Sequence, residues 1–468
     1  MLSERAARAA LAGARPKTLW LDDPSAPEPE PPLTGEAEAD LVVVGGGYAG
    51  LWAALRSLDR YPGESVLLVD AGRCGDQASG RNGGFASASL THGRANGLAR
   101  WPEELDLLDR LGAANLAAME ADVRRHRIDC GWEDTGELTV ATRPHEAEAL
   151  ADVHADLTAA GEPVELLDAA ATRARVDSPT YLAGLFSATG TAMVEPARLA
   201  WGLRAACLRG GVRIHEHTPA LDLERSGDRV EVRTEQGRIR ARRVVLATNA
   251  FPPLLRRLRL ATVPVYDHVL ATEPLSSEQR AAVGWAGREG VSDAGNLFHY
   301  YRLTHDDRIV WGGYDAVYHY ASRIDPVLEQ HGGTHLRLAE HFLETFPQLE
   351  GIAFSHRWGG VIDTSTRFTA FHGTGLAGRV AWSLGFTGLG VAATRFAADV
   401  VLDLLHGEDT ERTRLRMVRE RPLPFPPEPL RAAGINLTRR ELERSDRNGG
   451  RRSLWLRALD RAGLGFDS

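Results

Sequence analysis

The sequence predicts an α/β chain organised around a parallel sheet, and three observations predict it. An apolar run at 40–44 passes through a glycine-rich turn into an amphipathic stretch over 50–60. A second apolar run, 65–69, ends on Asp70 and completes a strand–helix–strand unit of about thirty residues, the size a parallel sheet requires. Far downstream, 380–384 repeats the order strand, glycine turn, helix.

The remaining elements follow in order. The start, MLSERAARAALAGARP, is rich in Arg and Ala and reads as a short surface helix; it has no apolar core of a secretory signal. Residues 21–39 are rich in Pro and Glu and read as an extended lead-in. Leu105, Leu108, Leu111, Leu116 and Met119 recur at helical spacing and predict a helix over 98–127. A strand is expected at 136–141, and a helix over 196–210 with Pro196 at its start and Gly210-Gly211 at its end. Strands follow at 212–216, 229–234 and 243–247, and β-structure rich in Tyr and Val at 262–275 and 298–314. The strand 380–384, the turn 385–390 and a helix over 391–406 close the body. In the tail, PLPFPPEPL (422–430) excludes regular structure, and the basic, Leu-bearing 451–461 is expected to pack on the body or on a second subunit.

At 468 residues, with 43% hydrophobic and 25% charged residues, the chain suits a globular enzyme of two to four compact units. A net charge of −8 and the absence of a long basic stripe argue against nucleic acid as a partner. No apolar run approaches the roughly 18 residues that span a bilayer, and a cytoplasmic location is expected. Cys74, Cys130 and Cys207 form no CxxC pair and read as buried thiols. Lys17 is the single lysine. No metal site is expected: His215-Glu216-His217 lacks the partners one needs.

The leading chemical signal is Val42-Val43-Val44-Gly45-Gly46-Gly47-Tyr48-Ala49-Gly50, with Asp70 twenty residues beyond the last glycine. Gly45 permits the tight turn, Gly47 lets a pyrophosphate approach the backbone, and Gly50 lets the helix pack on the strand. The helix N-terminus offers N–H groups and a positive dipole end to the phosphates, and Asp70 is placed to accept from a ribose hydroxyl. This is a Rossmann-like dinucleotide-binding unit.

FAD rather than NAD is argued by three further segments. Ala78-Ser79-Gly80-Arg81-Asn82-Gly83-Gly84 offers a second glycine turn where an extended FAD would run on towards its flavin. The strand ending Leu246-Ala247-Thr248-Asn249 leaves small residues beside the nucleotide. The turn Gly385-Phe386-Thr387-Gly388-Leu389-Gly390 opens a helix whose dipole would stabilise negative charge on a reduced flavin.

With these motifs in hand, the chain resembles the FAD-dependent amine and D-amino-acid oxidase superfamily of glycine oxidase and sarcosine oxidase. It is most similar to the γ-glutamylputrescine oxidase-like branch through ASGRNGGF (78–85), RWGG (357–360) and GFTGLGV (385–391). The resemblance implies an FAD-binding domain of discontinuous segments (40–100, 191–255 and 351–410), a substrate domain with a mostly antiparallel sheet (101–190 and 256–350) and a tail (411–468). It further implies that Gly45, Gly47, Gly50 and Asp70 bind the ADP part, that Ser79 to Gly84 and Gly385 to Gly390 line the flavin, and that the substrate's α-hydrogen passes as hydride to flavin N5, leaving an imine that hydrolyses.

Three departures from the family pattern sharpen the expectation. The arginine that grips a substrate carboxylate in amino-acid-oxidising members has Ile362 in its place, which favours an amine over an α-amino acid, with Arg302 or Arg367 as possible substitutes. The oxygen-activating lysine of sarcosine-oxidase relatives has no counterpart, which leaves oxygen or an electron carrier open as acceptor. The covalent attachment positions correspond to Gly359 and Gly84, so the FAD is expected to be non-covalent.

For the substrate pocket, the strand Phe298-His299-Tyr300-Tyr301-Arg302 alternates, so that one of the pairs His299/Tyr301 and Tyr300/Arg302 should meet the flavin cavity. His268 is a candidate proton acceptor for a substrate ammonium, and Trp358 and Asp363 are candidates for an aromatic wall and a carboxylate. Catalytic candidates are therefore His268, Tyr301, Arg302, Trp358 and Asp363. The function expected is oxidation of the C–N bond of a small amine. The alternatives are a dehydrogenase of an amino or hydroxy acid using a carrier, and a non-catalytic flavin-binding redox subunit.

Overall fold

The computed structural model describes residues 2–465; Met1 and the last three residues of the expected tail lie outside the described residues. Two eight-stranded sheets carry the chain. The first has the order Phe371–Gly375, Val380–Leu384, Gly237–Leu246, Gly35–Val44, Val66–Val69, Arg213–His215. All neighbours in that row pair in parallel except the Phe371–Gly375 edge, and the strands Ala220–Ser226 and Arg229–Thr234 extend Gly237–Leu246 as an antiparallel flap. The helices Tyr48–Arg60, Leu105–Arg125, Pro196–Arg209 and Gly390–His406 cover one face through a core that includes Trp52, Met119, Leu203 and Val401. This is the parallel α/β unit that the βαβ pattern predicts.

The second sheet runs Phe354–Ser365, Thr262–Thr272, Ile309–Gly313, His299–Leu303, Gly290–Asp293, Glu137–Ala141, Ala183–Ser187, Val164–Asp168. It is antiparallel throughout except where Gly290–Asp293 lies parallel to Glu137–Ala141. The helix Gly332–Thr345 buries Leu338, Phe342 and the following Phe346 against Trp285, Tyr301 and Trp311 on one face. The opposite face looks towards the first domain and closes a cavity with it.

Four details differ from the sequence expectation. The first strand begins at Gly35, because residues 35–39 pair with 237–241 along the flap strand before the apolar run starts. Strand Phe354–Ser365, expected within the FAD-binding segment 351–410, pairs along nearly its whole length with Thr262–Thr272, so the chain leaves the second sheet only after Ser365. The helix expected over 98–127 breaks at Trp101-Pro102, and Leu105–Arg125 forms the long element. The N-terminal helix Leu2–Leu11 docks rather than floats, with Ala7 buried under Gly332–Thr345.

The tail crosses the cavity mouth. Residues 421–428 are irregular, then Leu430–Arg447 and Leu454–Arg461 are helices. Among the described residues no helix is long and apolar enough to cross a membrane.

Candidate active site

The glycine turn after Val44 is built as the motif requires. Gly45 sits at φ 110°, and a Cβ there would lie 2.4 Å from the Ala247 carbonyl oxygen; a Cβ on Gly50 would lie 1.8 Å from that of Gly45. These two glycines therefore hold strand, turn and helix together. Gly47, Tyr48 and Ala49 open the helix into the cavity, and Ser79 Oγ accepts the Tyr48 N–H at 2.9 Å. Asp70 is turned onto the same turn: its carboxylate accepts the Gly46 N–H at 2.6 Å and the Gly72 N–H at 2.7 Å, and burial pushes its pKa up.

The segment Ala78–Arg81 is a short helical turn locked by Asn82, which donates to the carbonyls of Ala78 and Ser79 and accepts the Gly84 N–H. Arg81 donates to the Asp76 carbonyl and pairs with Glu329. A Cβ on Gly80 would fall 2.3 Å from the Gly75 carbonyl oxygen, and Gly84 at φ 83° lies against the Val194 carbonyl. These two glycines thus keep the turn compact, while Ser79, Arg81, Asn82 and Gly83 line the cavity.

At the far side, Asp363 fixes the turn that opens the last long helix. Its carboxylate accepts the backbone N–H groups of Gly385 and of Phe386, the latter at 3.1 Å, and its carbonyl accepts that of Thr387 at 3.1 Å. Burial raises the Asp363 carboxyl to about 7, against the pull of those N–H groups. Gly385 takes φ 80°, and Thr387, Gly388, Leu389 and Gly390 face the cavity at the start of Gly390–His406. Ala247 and Asn249 line it from the end of the flap strand, whereas Thr248 does not.

The cavity these turns share with the second sheet holds about 1450 Å³. That exceeds the roughly 300–1,000 Å³ of an ordinary ligand pocket and leaves room for a cofactor with a substrate beside it. Two buried polar atoms on its wall, Asn249 Oδ1 and Ser383 Oγ, have no partner among the described residues. Open glycine backbones, two helix N-termini and unpaired polar atoms fit a bound FAD.

The catalytic candidates divide. Asp363 lines the cavity, but its oxygens are committed to the 385–387 backbone, so it positions the turn. Strand alternation puts His268 on the outer face, where it meets the Leu328 carbonyl and the rings of His331 and His335, and burial lowers its pKa to about 4. Tyr301 is sealed in the core under Gly332–Thr345, with its hydroxyl on Tyr181. Arg302 is buried and donates to the Val194 carbonyl at 2.6 Å, and Arg367 is spent on the carbonyls of Ala370, Met417 and Glu420. Neither of these two arginines is on the cavity wall. Trp358 packs with Trp20 and donates Nε1–H to the Arg81 carbonyl at 2.9 Å, which braces the 78–84 turn from behind.

From these strands the cavity receives Tyr300 and Asp267, alternate to Tyr301 and His268, beside neighbours that include Val265 and Tyr266. Tyr300 donates to Asp267 Oδ2, and the Gly313 N–H reaches Oδ1 at 3.2 Å. Burial raises Asp267 to about 6, and the Tyr300 hydrogen bond opposes that rise. The period-two pattern was the available signal for both. Asp59, Asp122 and His126 form the one grouping of metal-ligand type among the described residues, and its carboxylates are paired with Arg56, Arg125 and Arg395. Glu216 of the HxH segment instead anchors the lead-in, binding Arg204 and the N–H groups of Glu30 and Cys74.

A parallel α/β domain with two glycine turns, capped by an antiparallel sheet over a shared cavity, defines a two-domain flavoprotein oxidoreductase. The profile of the DAO family, described as FAD dependent oxidoreductase, matches residues 40–404, and the chain belongs to that family. The chain is 31% identical to gamma-glutamylputrescine oxidoreductase of Escherichia coli over 81% of this chain and 86% of that protein. It is 28% identical to the probable oxidoreductase OrdL of Haemophilus influenzae over 81% of this chain and 85% of that protein. Among solved structures, glycine oxidase from Geobacillus kaustophilus superposes with a TM-score of 0.68 at 20% identity, covering 80% of this chain and 96% of that one. The chain is thus an FAD-dependent oxidoreductase of the DAO family, and its residues after 404 lie beyond the family match.

Proposed function

We propose that this chain oxidises the carbon–nitrogen bond of a small-molecule amine, with Asp267 and Tyr300 as the groups that receive the amine. One observation carries the reading: the second sheet presents the cavity with a carboxylate bonded to a phenol, while the arginines expected as carboxylate clamps, Arg302 and Arg367, are spent on backbone carbonyls away from the wall. The arginines that do line the cavity, Arg81, Arg431, Arg439 and Arg452, are engaged by Glu329, Ser322, Asp315 and Asp460. Ile362 lines the cavity where that clamp would stand. Such a site favours a cationic or neutral amine over an α-amino acid. The relative's activity on γ-glutamylputrescine agrees with an amine substrate, and it is a property of that protein.

Ser79, Asn82 and Gly83 on one side and Thr387 to Gly390 on the other would hold FAD, with the first turn of Tyr48–Arg60 at its phosphates. When bound, FAD supplies the two-electron acceptor for the substrate's α-hydrogen. The chain's own part is proton handling and orientation. Asp267, its pKa raised to about 6 by burial, takes a proton from the substrate ammonium and frees the nitrogen lone pair. Tyr300 keeps that carboxylate aimed into the cavity.

A second reading, a dehydrogenase that passes electrons to a carrier, is favoured by the position of Lys17. The chain's single lysine is half-exposed and paired with Asp22, so no lysine faces the cavity to promote oxygen reactivity. An anaerobic visible spectrum of the purified protein, titrated with amines and then opened to air, tests both. Bleaching by an amine followed by recovery in air supports the oxidase. Bleaching that recovers only with an artificial acceptor supports the dehydrogenase. A flavin that α-amino acids bleach and amines do not would overturn the amine reading.

A further inference from the structure

Two indoles hold the 78–84 turn from behind, and one of them comes from outside the family match. Trp358 Nε1 donates to the Arg81 carbonyl and Trp20 Nε1 donates to the Asn82 carbonyl, both at 2.9 Å. Trp358 belongs to strand Phe354–Ser365, whereas Trp20 sits in the single turn Leu19–Leu21 of the lead-in, upstream of residue 40 where the match begins. Trp20 is buried in an apolar cluster with Ala197, Val269, Val310 and Trp358. The lead-in is fixed on either side of it. The Arg15 N–H donates to the Ser355 carbonyl and the Arg15 carbonyl accepts the Arg357 N–H, both at 2.9 Å, along the edge strand of the second sheet. Asp23 pairs with Arg198 of helix Pro196–Arg209 at 3.0 Å. Between these anchors Leu21 backs the turn itself, with its Cδ2 2.8 Å from where a Cβ on Gly80 would stand.

The direction of that bond decides what the turn shows to the cavity. A trans peptide is planar, so a carbonyl and the N–H that follows it point in opposite directions. Neither indole lines the cavity, whereas Arg81, Asn82 and Gly83 do. With the Asn82 carbonyl turned back onto Trp20, the Gly83 N–H is turned forward, and it has no partner among the described residues. The Tyr300 ring lies 2.5 Å from where a Cβ on Gly83 would stand, so the glycine is fixed between indole and phenol. A backbone N–H held at a cavity wall without a partner is a donor that a bound ligand satisfies.

We propose that Trp20 is a positioning residue of the cofactor site: its indole N–H fixes the Asn82–Gly83 peptide so that the Gly83 N–H is presented to the flavin end of bound FAD. A donor held in place beforehand costs no reorganisation, and its bond strengthens as negative charge gathers on the acceptor. It therefore favours reduced over oxidised FAD. The lead-in completes a site whose glycine turns lie within the family match. This role depends on FAD alone and is the same whether or not the substrate is an amine.

The test compares the FAD-loaded full chain with Trp20→Phe, which keeps an aromatic ring in the cluster and removes the N–H. Three quantities are read: FAD release on dilution, displacement of FAD by ADP, and the midpoint potential. FAD affinity should fall by about tenfold. Half-displacement should need about tenfold less ADP, because the ADP part keeps its own glycine turn. The loss should fall about tenfold harder on reduced than on oxidised FAD, which lowers the midpoint by about 30 mV. Val310→Ala loosens the same cluster and leaves the indole N–H in place, so it should lower the melting temperature while affinity and potential stay at parent values. Trp20→benzothienylalanine keeps the indole outline with sulfur in place of N–H, and it should give the same three shifts even where Trp20→Phe melts too low to load. Variants at Trp20 that melt lower yet keep parent affinity and potential would reduce the residue to packing and overturn the proposal. An ADP displacement point that does not move while FAD affinity falls would put the loss on the nucleotide half and overturn it as well. So would a Val310→Ala protein that reproduces the shift in potential.

Discussion

Tyr300 reaches Asp267 by lying across Gly312. The two residues sit on strands separated by Ile309–Gly313, and the strand between them has glycine at the crossing point. A Cβ on Gly312 would stand 2.6 Å from the Tyr300 ring, and a Cβ on Gly83 would stand 2.5 Å from its other side. The phenol is thus held between the 78–84 turn and the second sheet by two missing side chains. The pair that faces the cavity is positioned by the same contact that joins the domains.

That arrangement predicts a specific pH dependence. Asp267 must be ionised to take a proton, and its pKa is raised to about 6 by burial, so kcat/KM should fall as pH drops through about 6. The Tyr300 hydrogen bond lowers this pKa, so Tyr300→Phe should move the acid limb to higher pH. Asp267→Asn should remove the limb and reduce kcat/KM by about 10²-fold or more. An acid limb that stays in place in Asp267→Asn would assign it to another group.

Gly312→Val tests the crossing itself. The added side chain would displace the Tyr300 ring and break its bond to Asp267. Turnover should fall towards that of Tyr300→Phe, and the two changes combined should cost little more than either alone, because both remove one interaction. Strictly multiplicative losses in the double variant would show that Gly312 acts elsewhere.

Asp363 makes a stability prediction with a defined sign. Asn at this position keeps one acceptor oxygen where the two carboxyl oxygens serve Gly385 and Phe386, so Asp363→Asn should destabilise the fold by about 1–3 kcal/mol and weaken FAD retention. The folded carboxyl is raised to about 7, above an unfolded value of about 3.9. Its proton is therefore held more tightly when folded, and its contribution is full below about pH 4 and lost as pH rises through about 7. The stability gap between parent and Asn variant should accordingly narrow from pH 4 to pH 7 in denaturant titrations. A gap that widens would place the carboxylate's pKa below its unfolded value.

What the sequence made legible follows from the kind of constraint each residue obeys. Gly45, at φ 110°, and Gly50, packed on the Gly45 carbonyl, obey constraints set within the turn, so the turn and helix are directly readable, and so is the 385–390 turn. The choice between Tyr300 and Tyr301, or Asp267 and His268, depends on which face of a strand meets the other domain. Alternation gives two sets and tertiary packing selects one. Asp70 meets the expected turn, but its two oxygens serve Gly46 and the nearby Gly72, and the Gly46 contact is a tertiary fit that spacing alone does not encode. The tail was legible as Pro-broken and basic. Its role as a cavity wall depends on anchors at Ser322, Thr366 and Asn296 that no local pattern announces.

The two central glycines of the first turn should fail in different ways. A Cβ on Gly47 would meet only Ser79 Oγ, at 3.0 Å, so Gly47→Ala should fold and lose FAD affinity by about tenfold through blocked approach to the phosphates. A Cβ on Gly50 would lie 1.8 Å from the Gly45 carbonyl, so Gly50→Ala must push helix from strand and should cost stability by about 1–3 kcal/mol. Apoprotein melting separates the two: Gly47→Ala near the parent, Gly50→Ala lower. Equal melting losses would mean that Gly47 also serves packing.

The last prediction concerns how the flavin is held. The family resemblance puts Gly84 and Gly359 at the positions where covalent relatives carry an attaching side chain, and here both glycines are packed against backbone. A Cβ on Gly84 would fall 2.2 Å from the Val194 carbonyl oxygen, and one on Gly359 would fall 3.0 Å from the Glu329 backbone. The thiols are buried away from the cavity wall, with burial pushing Cys130 and Cys207 up to about 12. His92 does face the cavity, but its Nε2 is engaged by the Thr387 carbonyl at 3.0 Å. Acid precipitation of the holoprotein should therefore leave a colourless pellet and a yellow supernatant whose flavin runs as FAD. Colour retained in the pellet would require a bond to the chain, and peptide mapping of the pellet would then show whether His92 carries it.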